Sequence, residues 1–466
     1  MSTVLDDFLL YQLSKLNETE VHDHTPTPKK VFKNAILVFI ILAACGLFAF
    51  GLSNVFFYFY DESDYSLNPN YPLPLPSAAN CGKRIVGYYT GWEQRKISEN
   101  QISKLTHIIF VAVRVFRNGQ VGFHNPEYSG RFLDMKKKAR RVNGNIKVLI
   151  GVGGKGNSRL FSPIFADKDK RKIFIGSLSK FLESDKVDGL KITWTMPFAE
   201  QKDRENIVAF FKELREEFTK IQHQKGLVEP YIISLLTPQI IWKQIEGYDL
   251  DGILKYADFL NVFTFEYYGP WGMKEGAYTG PVGPLYGGRR GNIDDTMKVH
   301  TCETKKPSQL TLGIQLYGKF WRNVNEKKIN HTETMCEGEI CRVEEKEDIS
   351  DIWRMAELKD GRPQGGFISW NDKGNDDAGI LFNKTEAKWD DFSKSSYIWK
   401  PEDRTLLIFE TERSIREQVK YAVEKNLGGI NIFSMNMDDE QDTAASLVSS
   451  IEMCTKKKKN EIMYKC

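Results

Sequence analysis

Polar side chains alternate along one short apolar segment, residues 187–197, which reads VDGLKITWTMP. Lys191, Thr193 and Thr195 stand at every second position of it, and alternate residues of a β-strand share one face. That face offers one ammonium and two hydroxyls but no carboxylate. A threonine hydroxyl is far too weak an acid to protonate a leaving group near neutral pH. The segment therefore has the spacing of a site built on a strand but lacks the groups for general acid catalysis.

Cysteine is the other residue type whose spacing bears on chemistry. None of the seven cysteines stands in a Cys-x-x-Cys pattern, so we expect no metal site, and no cofactor is expected. Six of them follow the apolar segment described below, and an even number fits disulfides outside the cytosol. We expect at least two of the six to be bonded. Six cysteines allow 15 pairings, among which Cys336 with Cys341 and Cys81 with Cys302 are candidates.

The charge balance argues against nucleic acid as a partner. The net charge is +3, from 65 basic and 62 acidic residues, so the chain has no strong basic field. Four consecutive lysines occupy residues 456–459, within a basic segment at 452–466. A charge run of this kind usually lies in solvent, and we interpret this segment as a solvated tail.

The elements that would position a site alternate between two patterns. Short β-branched runs are followed by charged stretches with apolar residues at helical spacing, which predicts a parallel sheet. The runs lie at residues 84–89, 107–115, 146–152, 187–194, 231–236, 259–265, 310–317 and 428–433. Eight such units predict an α/β fold, a (β/α)8 barrel. The long gap before the last run predicts an inserted α+β subdomain at about 322–400.

An uncharged apolar segment precedes the barrel, at residues 35–60. It is long enough to span a bilayer as one helix, so it predicts a transmembrane signal-anchor. Lysines lie before it and acidic residues after it, which places residues 1–34 in the cytosol and the barrel in the lumen or outside the cell. The protein is then a single-pass type II membrane protein.

A stalk should join the anchor to the barrel. Residues 61–80 contain four prolines, a density that favours an extended spacer. Glycosylation sequons begin at Asn330 and Asn383, on the side of the membrane where such sites are used.

Several motifs in chain order resemble glycoside hydrolase family 18. They are CGKRIVGYYTGW at 81–92, LTHIIF at 105–110, KVLIGVGG at 147–154, the segment at 187–197, and the segments at 261–269, 313–318 and 414–439. The resemblance covers residues 81–451. The apolar anchor and the residue types that replace the family's motif residues resemble those of nematode chitinase-like proteins.

The resemblance implies a degenerate catalytic strand. In the family this strand reads Asp-Gly-x-Asp-x-Asp-x-Glu, where the Glu is the general acid and the neighbouring Asp orients the N-acetyl group of the substrate, which acts as nucleophile. Here Lys191, Thr193 and Thr195 occupy the three interior carboxylate positions. Loss of the acid alone lowers a rate by roughly 10²–10⁴-fold. The resemblance therefore implies a protein without chitinase activity, and an interior Lys191 predicts a carboxylate or carbonyl partner, or a side chain that reaches the open end of the barrel.

A protein without catalytic activity could still bind sugars in this cleft, because aromatic faces stack on sugar rings without the help of a carboxylate. Glu266 and Phe433 align with the family's Asp and Trp, and Phe265 stands where the family has a Tyr. The candidate ligand contacts are Tyr88, Phe110, Glu266, Tyr267, Trp271 and Phe433, although Tyr88 and Phe110 are equally compatible with core packing. The sequence leaves three functions open: an inactive protein that binds chitin-like glycans or a protein partner, a weak glycosidase that uses Glu266 as its acid, and a scaffold that binds no sugar.

Overall fold

The computed structural model describes residues 81–154, 156–194, 201–240, 243–272, 274–329, 334–336, 339–341, 350–371 and 384–466. The predicted cytosolic tail, anchor and stalk lie outside these ranges, as do Thr195, Asn330 and Asn383. Within them, no helix is both long and apolar enough to cross a membrane.

Eight parallel strands close into a barrel. They are Arg84–Thr90, His107–Val115, Lys147–Gly153, Gly189–Thr193, Ile232–Thr237, Phe259–Val262, Leu310–Gln315 and Gly429–Phe433. Each pairs with the next in chain order, and the first pairs with both the second and the eighth, so the sheet has no open edge. The prediction of a (β/α)8 barrel is confirmed, because the β-branched runs are the eight strands.

Helices cover the outside of the barrel. The described α-helices are Glu99–Lys104, Pro126–Val142, Ser158–Ala166, Lys168–Ser184, Gln201–Lys225, Leu250–Ile253, Ile293–Thr304, Glu412–Glu424 and Thr443–Ser450. The helix Lys168–Ser184 shows why they dock: Phe174, Leu178 and Leu182 lie four residues apart on one buried face. Asn125 begins the helix Pro126–Val142 by accepting a hydrogen bond from the backbone N–H of Tyr128 at 2.9 Å.

A second sheet is inserted between the seventh and eighth barrel strands. Its five antiparallel strands are Tyr317–Trp321, Gly365–Ser369, Lys388–Asp390, Ser395–Lys400 and Thr405–Phe409. It starts earlier and ends later than the predicted limits of 322–400, because its first strand follows the seventh barrel strand almost directly. Short strand pairs at Thr334–Cys336 with Glu339–Cys341, and at Leu358–Lys359 with Arg362–Pro363, lie within the same insertion.

The barrel interior is filled in layers. An apolar group is formed by Val86, Tyr88, Ile109, Leu149 and Phe259. A polar group joins three strands: Asn431 donates to the hydroxyl of Thr311 at 3.1 Å, and that hydroxyl donates to the side-chain oxygen of Asn261 at 3.2 Å. The interior is thus packed and hydrogen-bonded, and a site must lie at one end of the strands.

Two disulfides bind the ends of the domain to its body. Cys81 is bonded to Cys454, and Cys302 to Cys466. The expectation of at least two bonded cysteines is confirmed, whereas the pairing of Cys81 with Cys302 is wrong. Cys336 lies on a described strand, but its side chain is outside the description, so its pairing with Cys341 stays a prediction.

The C-terminal segment is not the solvated tail that its charge predicted. Lys457 donates to the carbonyl of Glu424 at 2.6 Å, and Lys83 donates to the carbonyl of Leu427 at 2.6 Å. Both ammonium groups thereby bind carbonyls at or just beyond the C-terminal end of the helix Glu412–Glu424, where the helix dipole favours cations. Tyr464 adds a hydrogen bond to Tyr421 at 2.6 Å. The segment is held to the barrel by these contacts and by its two cysteines.

Candidate functional site

The fourth barrel strand places Lys191 and Thr193 on one face, and Thr195 lies outside the described residues. The Lys191 ammonium lies over the Tyr88 ring, within the barrel interior, and Thr193 ends the strand on the same face. The third and fourth strands come close together at Gly153 and Thr193. A Cβ at Gly153 would lie 2.5 Å from the Thr193 carbonyl oxygen, and the φ of Gly153 is +98°, so glycine is required there. Thr193 therefore lies at the C-terminal end of the strand, the end at which barrels of this kind carry their active sites.

Lys191 is buried without the partner that the sequence predicted. Its exposed fraction is 2%, and no described residue forms a hydrogen bond or ion pair with its ammonium. Its contact is with an aromatic face, the Tyr88 ring centroid at 4.5 Å. Burial lowers the pKa of Lys191 to about 7. Among the described residues, an aromatic ring and a lowered pKa thus take the place of the carboxylate or carbonyl partner that the sequence predicts; residues 195–200, which follow the strand, lie outside the description.

Glu266 balances a lysine from the inserted sheet. Its carboxylate lies 3.0 Å from the Lys319 ammonium and accepts hydrogen bonds from the Tyr317 hydroxyl and, at 3.3 Å, from the Trp271 indole N–H. Burial and the Glu266 charge raise the pKa of Tyr317 well above its usual value, so its hydroxyl stays a donor. The backbone of Glu266 has a φ of +64°, a conformation that non-glycine residues rarely adopt. The structure thus pairs Glu266 with Lys319.

Three aromatic rings lie together across the barrel. The Phe433 ring centroid is 5.7 Å from that of Tyr88 and 6.0 Å from that of Phe265. Tyr88 and Phe265 are buried, whereas Phe433 is partly exposed. A ligand at this end of the barrel can therefore contact Phe433, while Tyr88 supports Lys191 from below.

Trp271 lies at the rim beside Glu266. Its ring packs against the backbone at Gly269, where a Cβ would come within 2.8 Å of the indole, and the Arg290 guanidinium lies 5.0 Å from the ring centroid. The indole is half-buried. We call Thr193, Glu266, Trp271, Tyr317, Lys319 and Phe433 the candidate cleft.

Besides Tyr88, two more of the predicted contacts are buried in the core. Tyr89 and Phe110 are neighbours in the register of the first two strands, so Phe110 faces outward like Tyr89 and packs against Phe132 of a helix, with centroids 5.4 Å apart. Tyr267 is fully buried, and its hydroxyl bonds to Thr296 of another helix. Neither side chain reaches the candidate cleft, and their assignment as ligand contacts is wrong.

Sequence reasoning did not find the contribution of the inserted sheet. Tyr317 and Lys319 stand on its first strand, and Phe367 stands on the strand that pairs with it, opposite Lys319. The Phe367 ring is 46% exposed and lies edge-on to Tyr317, with centroids 6.4 Å apart. The one available signal was the alternation of Tyr317 and Lys319 in a run that we assigned in part to the seventh barrel strand.

The described residues offer no cluster of three or more histidine, cysteine or acidic side chains that could hold a metal ion. Chemistry in the described part of the cleft therefore depends on hydroxyl, indole and ammonium groups and on one ion-paired carboxylate.

The chain is similar to known chitinases over most of the barrel. The model of Glycosyl hydrolases family 18 matches residues 84–438. "Probable chitinase 2" of Drosophila melanogaster is 26% identical over 317 residues, which are 64% of this chain and 58% of that relative.

Two solved structures share the fold. The Cycas revoluta family 18 chitinase in complex with (GlcNAc)3 superposes with a TM-score of 0.65 at 20% identity, covering 79% of this chain and 99% of that one. The chitinase-like agglutinin RobpsCRA from Robinia pseudoacacia superposes with a TM-score of 0.64 at 18% identity, covering 78% and 98%. The family match and the closed barrel together show that this chain belongs to glycosyl hydrolase family 18.

Proposed function

We propose that this chain is a catalytically inactive chitinase-like protein that binds glycans at a membrane surface. The observation that carries the first part is the fourth strand. There Lys191, which has no ion pair with the described residues, and Thr193 stand on the face that bears carboxylates in the family. Thr195 continues the pattern in the sequence. A positive charge there opposes the cationic transition state of glycoside hydrolysis.

Glu266 is a poor substitute for the missing acid. Its contacts with Lys319, Tyr317 and Trp271 all use the carboxylate as an acceptor, which is the role of the ionised form. A general acid must donate a proton to the leaving oxygen. This arrangement supports inactivity over the alternative of a weak glycosidase that uses Glu266.

The exposed aromatic rings support glycan binding over a scaffold without sugar. Phe433 is partly exposed, Phe367 is 46% exposed, and Trp92, just after the first strand, is 41% exposed. Such rings supply apolar faces for sugars. The neighbours with this fold include one described as an agglutinin and one solved with (GlcNAc)3.

The membrane part of the proposal rests on the apolar segment at residues 35–60 and its flanking charges. The barrel then lies in the lumen or outside the cell, where disulfides persist and where Asn330 and Asn383 are available for glycosylation. Alkaline carbonate extraction of membranes should leave the full-length protein in the pellet, and its release into the supernatant would contradict the anchor.

Activity and binding should be measured together on the purified protein with chitin oligomers. We expect binding without turnover, and a turnover of about 1 per second or faster would contradict inactivity. Trp271→Ala should weaken binding by roughly 3- to 10-fold through loss of an aromatic contact. Trp389→Ala, at the edge strand of the inserted sheet, is the matched control and should bind like the parent. A protein that neither cuts nor binds would instead support the scaffold function.

A further inference from the structure

Arg290 is a partly buried cation beside the candidate cleft. Its guanidinium lies over the Trp271 ring at 5.0 Å, and Trp271 in turn donates to Glu266. No described residue forms an ion pair with Arg290, and its Nε is buried with no hydrogen-bond partner among them. Burial lowers the pKa of Arg290 from its usual value. A guanidinium stays charged at any physiological pH, so a positive charge with unused donors is held at this rim.

Nearby acids do not neutralise this charge. Burial is the main cause of the shift in the pKa of Arg290, with smaller opposing effects from Tyr268 and Glu275. Glu275 is exposed and does not come within ion-pair distance of Arg290. Glu266 is already paired with Lys319. Arg289, the preceding residue, lies over the Tyr278 ring at 4.6 Å and also forms no ion pair with the described residues.

Arg289 and Arg290 lie in a loop, outside any helix or strand. Gly287, Gly288 and Gly291 flank them with φ values of +68°, +85° and +78°. The backbone N–H of Arg290 is fixed by a hydrogen bond to the Tyr268 hydroxyl at 3.1 Å. The backbone of Arg290 is thus held in place, while its terminal guanidinium nitrogens form no hydrogen bond with the described residues.

We propose that the glycan bound at the candidate cleft is acidic, with a carboxylate or sulfate group held by the Arg290 guanidinium next to Trp271. The proposal rests on the proposed glycan-binding function and names its ligand class. A neutral chitin oligomer would leave the Arg290 donors without an anion, whereas an acidic sugar satisfies them with a charge-assisted, fork-shaped contact.

Arg413 also stacks on a tryptophan ring, but its surroundings differ from those of Arg290. Arg413 lies over the Trp389 ring at 3.9 Å, but its side chain is exposed and solvated. Stacking on an indole therefore needs no buried, unsatisfied donor. Arg413→Gln is for this reason the matched control for Arg290→Gln.

The test compares three hexasaccharide probes by calorimetry on the full-length protein: neutral N-acetylglucosamine hexamer, hyaluronan, which alternates N-acetylglucosamine with glucuronate, and a 6-O-sulfated chitin hexamer. We expect at least one acidic probe to bind about tenfold or more tightly than the neutral one, because only an anion forms a charge-assisted hydrogen bond with the Arg290 guanidinium. The carboxylate and sulfate probes distinguish the two sources of the anion. Arg290→Gln should bring the affinity ratio close to one, Arg290→Lys should give an intermediate ratio, and Arg413→Gln should keep the parent ratio.

Three results would overturn the proposal. Equal binding of neutral and acidic probes would contradict the acidic ligand and leave glycan binding intact. A preference for acidic probes that persists in Arg290→Gln would show that the anion lies elsewhere. Failure of all three probes to bind would contradict both this inference and the proposed glycan-binding function.

Discussion

Replacing Lys191 by methionine should make the protein more stable. The side chain is 2% exposed and contacts the Tyr88 ring, and no described residue supplies a counter-ion. Methionine is unbranched, of similar length and apolar, so it can occupy the same space without a charge. The substitution therefore removes the cost of burying an ammonium and leaves the packing on Tyr88 largely in place.

The size of the stability gain and its dependence on pH follow from the pKa of Lys191. Burial lowers the pKa of Lys191 from 10.5 to about 7, so between these values the unfolded chain binds more protons than the folded one. The stability of the parent protein should therefore rise as the pH increases from 7 towards 10.5. One pKa unit corresponds to 1.36 kcal/mol, so the cost of the buried lysine is on the order of 5 kcal/mol at and below neutral pH. We expect Lys191→Met to gain about 2–5 kcal/mol there and to converge with the parent near the unfolded pKa.

The assay is equilibrium unfolding in urea between about pH 6 and pH 10, with disulfides intact. Two lysine variants serve as controls. Lys319→Met should be destabilised because it leaves Glu266 without its cation, and Lys137→Met should change little because Lys137 is exposed. If Lys191→Met is no more stable than the parent near pH 6, or keeps the parent's rise in stability with pH, the ammonium is not buried as described.

Three further outcomes are expected. Burial raises the pKa of Glu410 to about 7, so the stability of the parent should fall as the pH rises from 4.5 to 7. Glu410→Gln should therefore be more stable than the parent by about 1–3 kcal/mol above neutral pH and by little near pH 4.5. Urea unfolding at both pH values measures this difference. Thr193→Asp with Thr195→Glu should not restore turnover of chitin oligomers, because Lys191 and Phe433 still differ from the family pattern; a rate of about 1 per second would refute this. Cys302→Ser should lower stability by roughly 3–5 kcal/mol in the same unfolding assay, since it opens a loop that spans 164 residues, and unchanged stability would show that the bond contributes nothing.

The barrel was predictable from sequence because each of its strands is a short β-branched run between helical patterns. The interior direction of Lys191 was predictable for the same reason, since it depends only on alternation along one strand. Its contact with Tyr88 was not, because the first and fourth strands meet across the barrel and no local pattern relates them. The pairing of Glu266 with Lys319 was not predictable either. The two residues are 53 positions apart, and they meet only because the inserted sheet folds back over the barrel.

The remaining errors concern Phe110 and the disulfides. Phe110 was assigned to the cleft, but the register with Tyr89 turns it outward, and a shift of one residue reverses the face of every side chain on a strand. The disulfides could not be deduced from counting, because both join residues far apart in the chain that the closed barrel brings together.

The bond between Cys81 and Cys454 has a mechanical consequence. Cys81 lies just before the first barrel strand, and Cys454 lies just after the last helix, so one covalent loop encloses the whole barrel. A force applied to the chain ahead of Cys81 divides at that residue between the backbone, which leads into the first strand, and the disulfide to Cys454. The first strand therefore carries only part of the tension. The start and the end of the barrel stay covalently joined even if the pairing of that strand is lost.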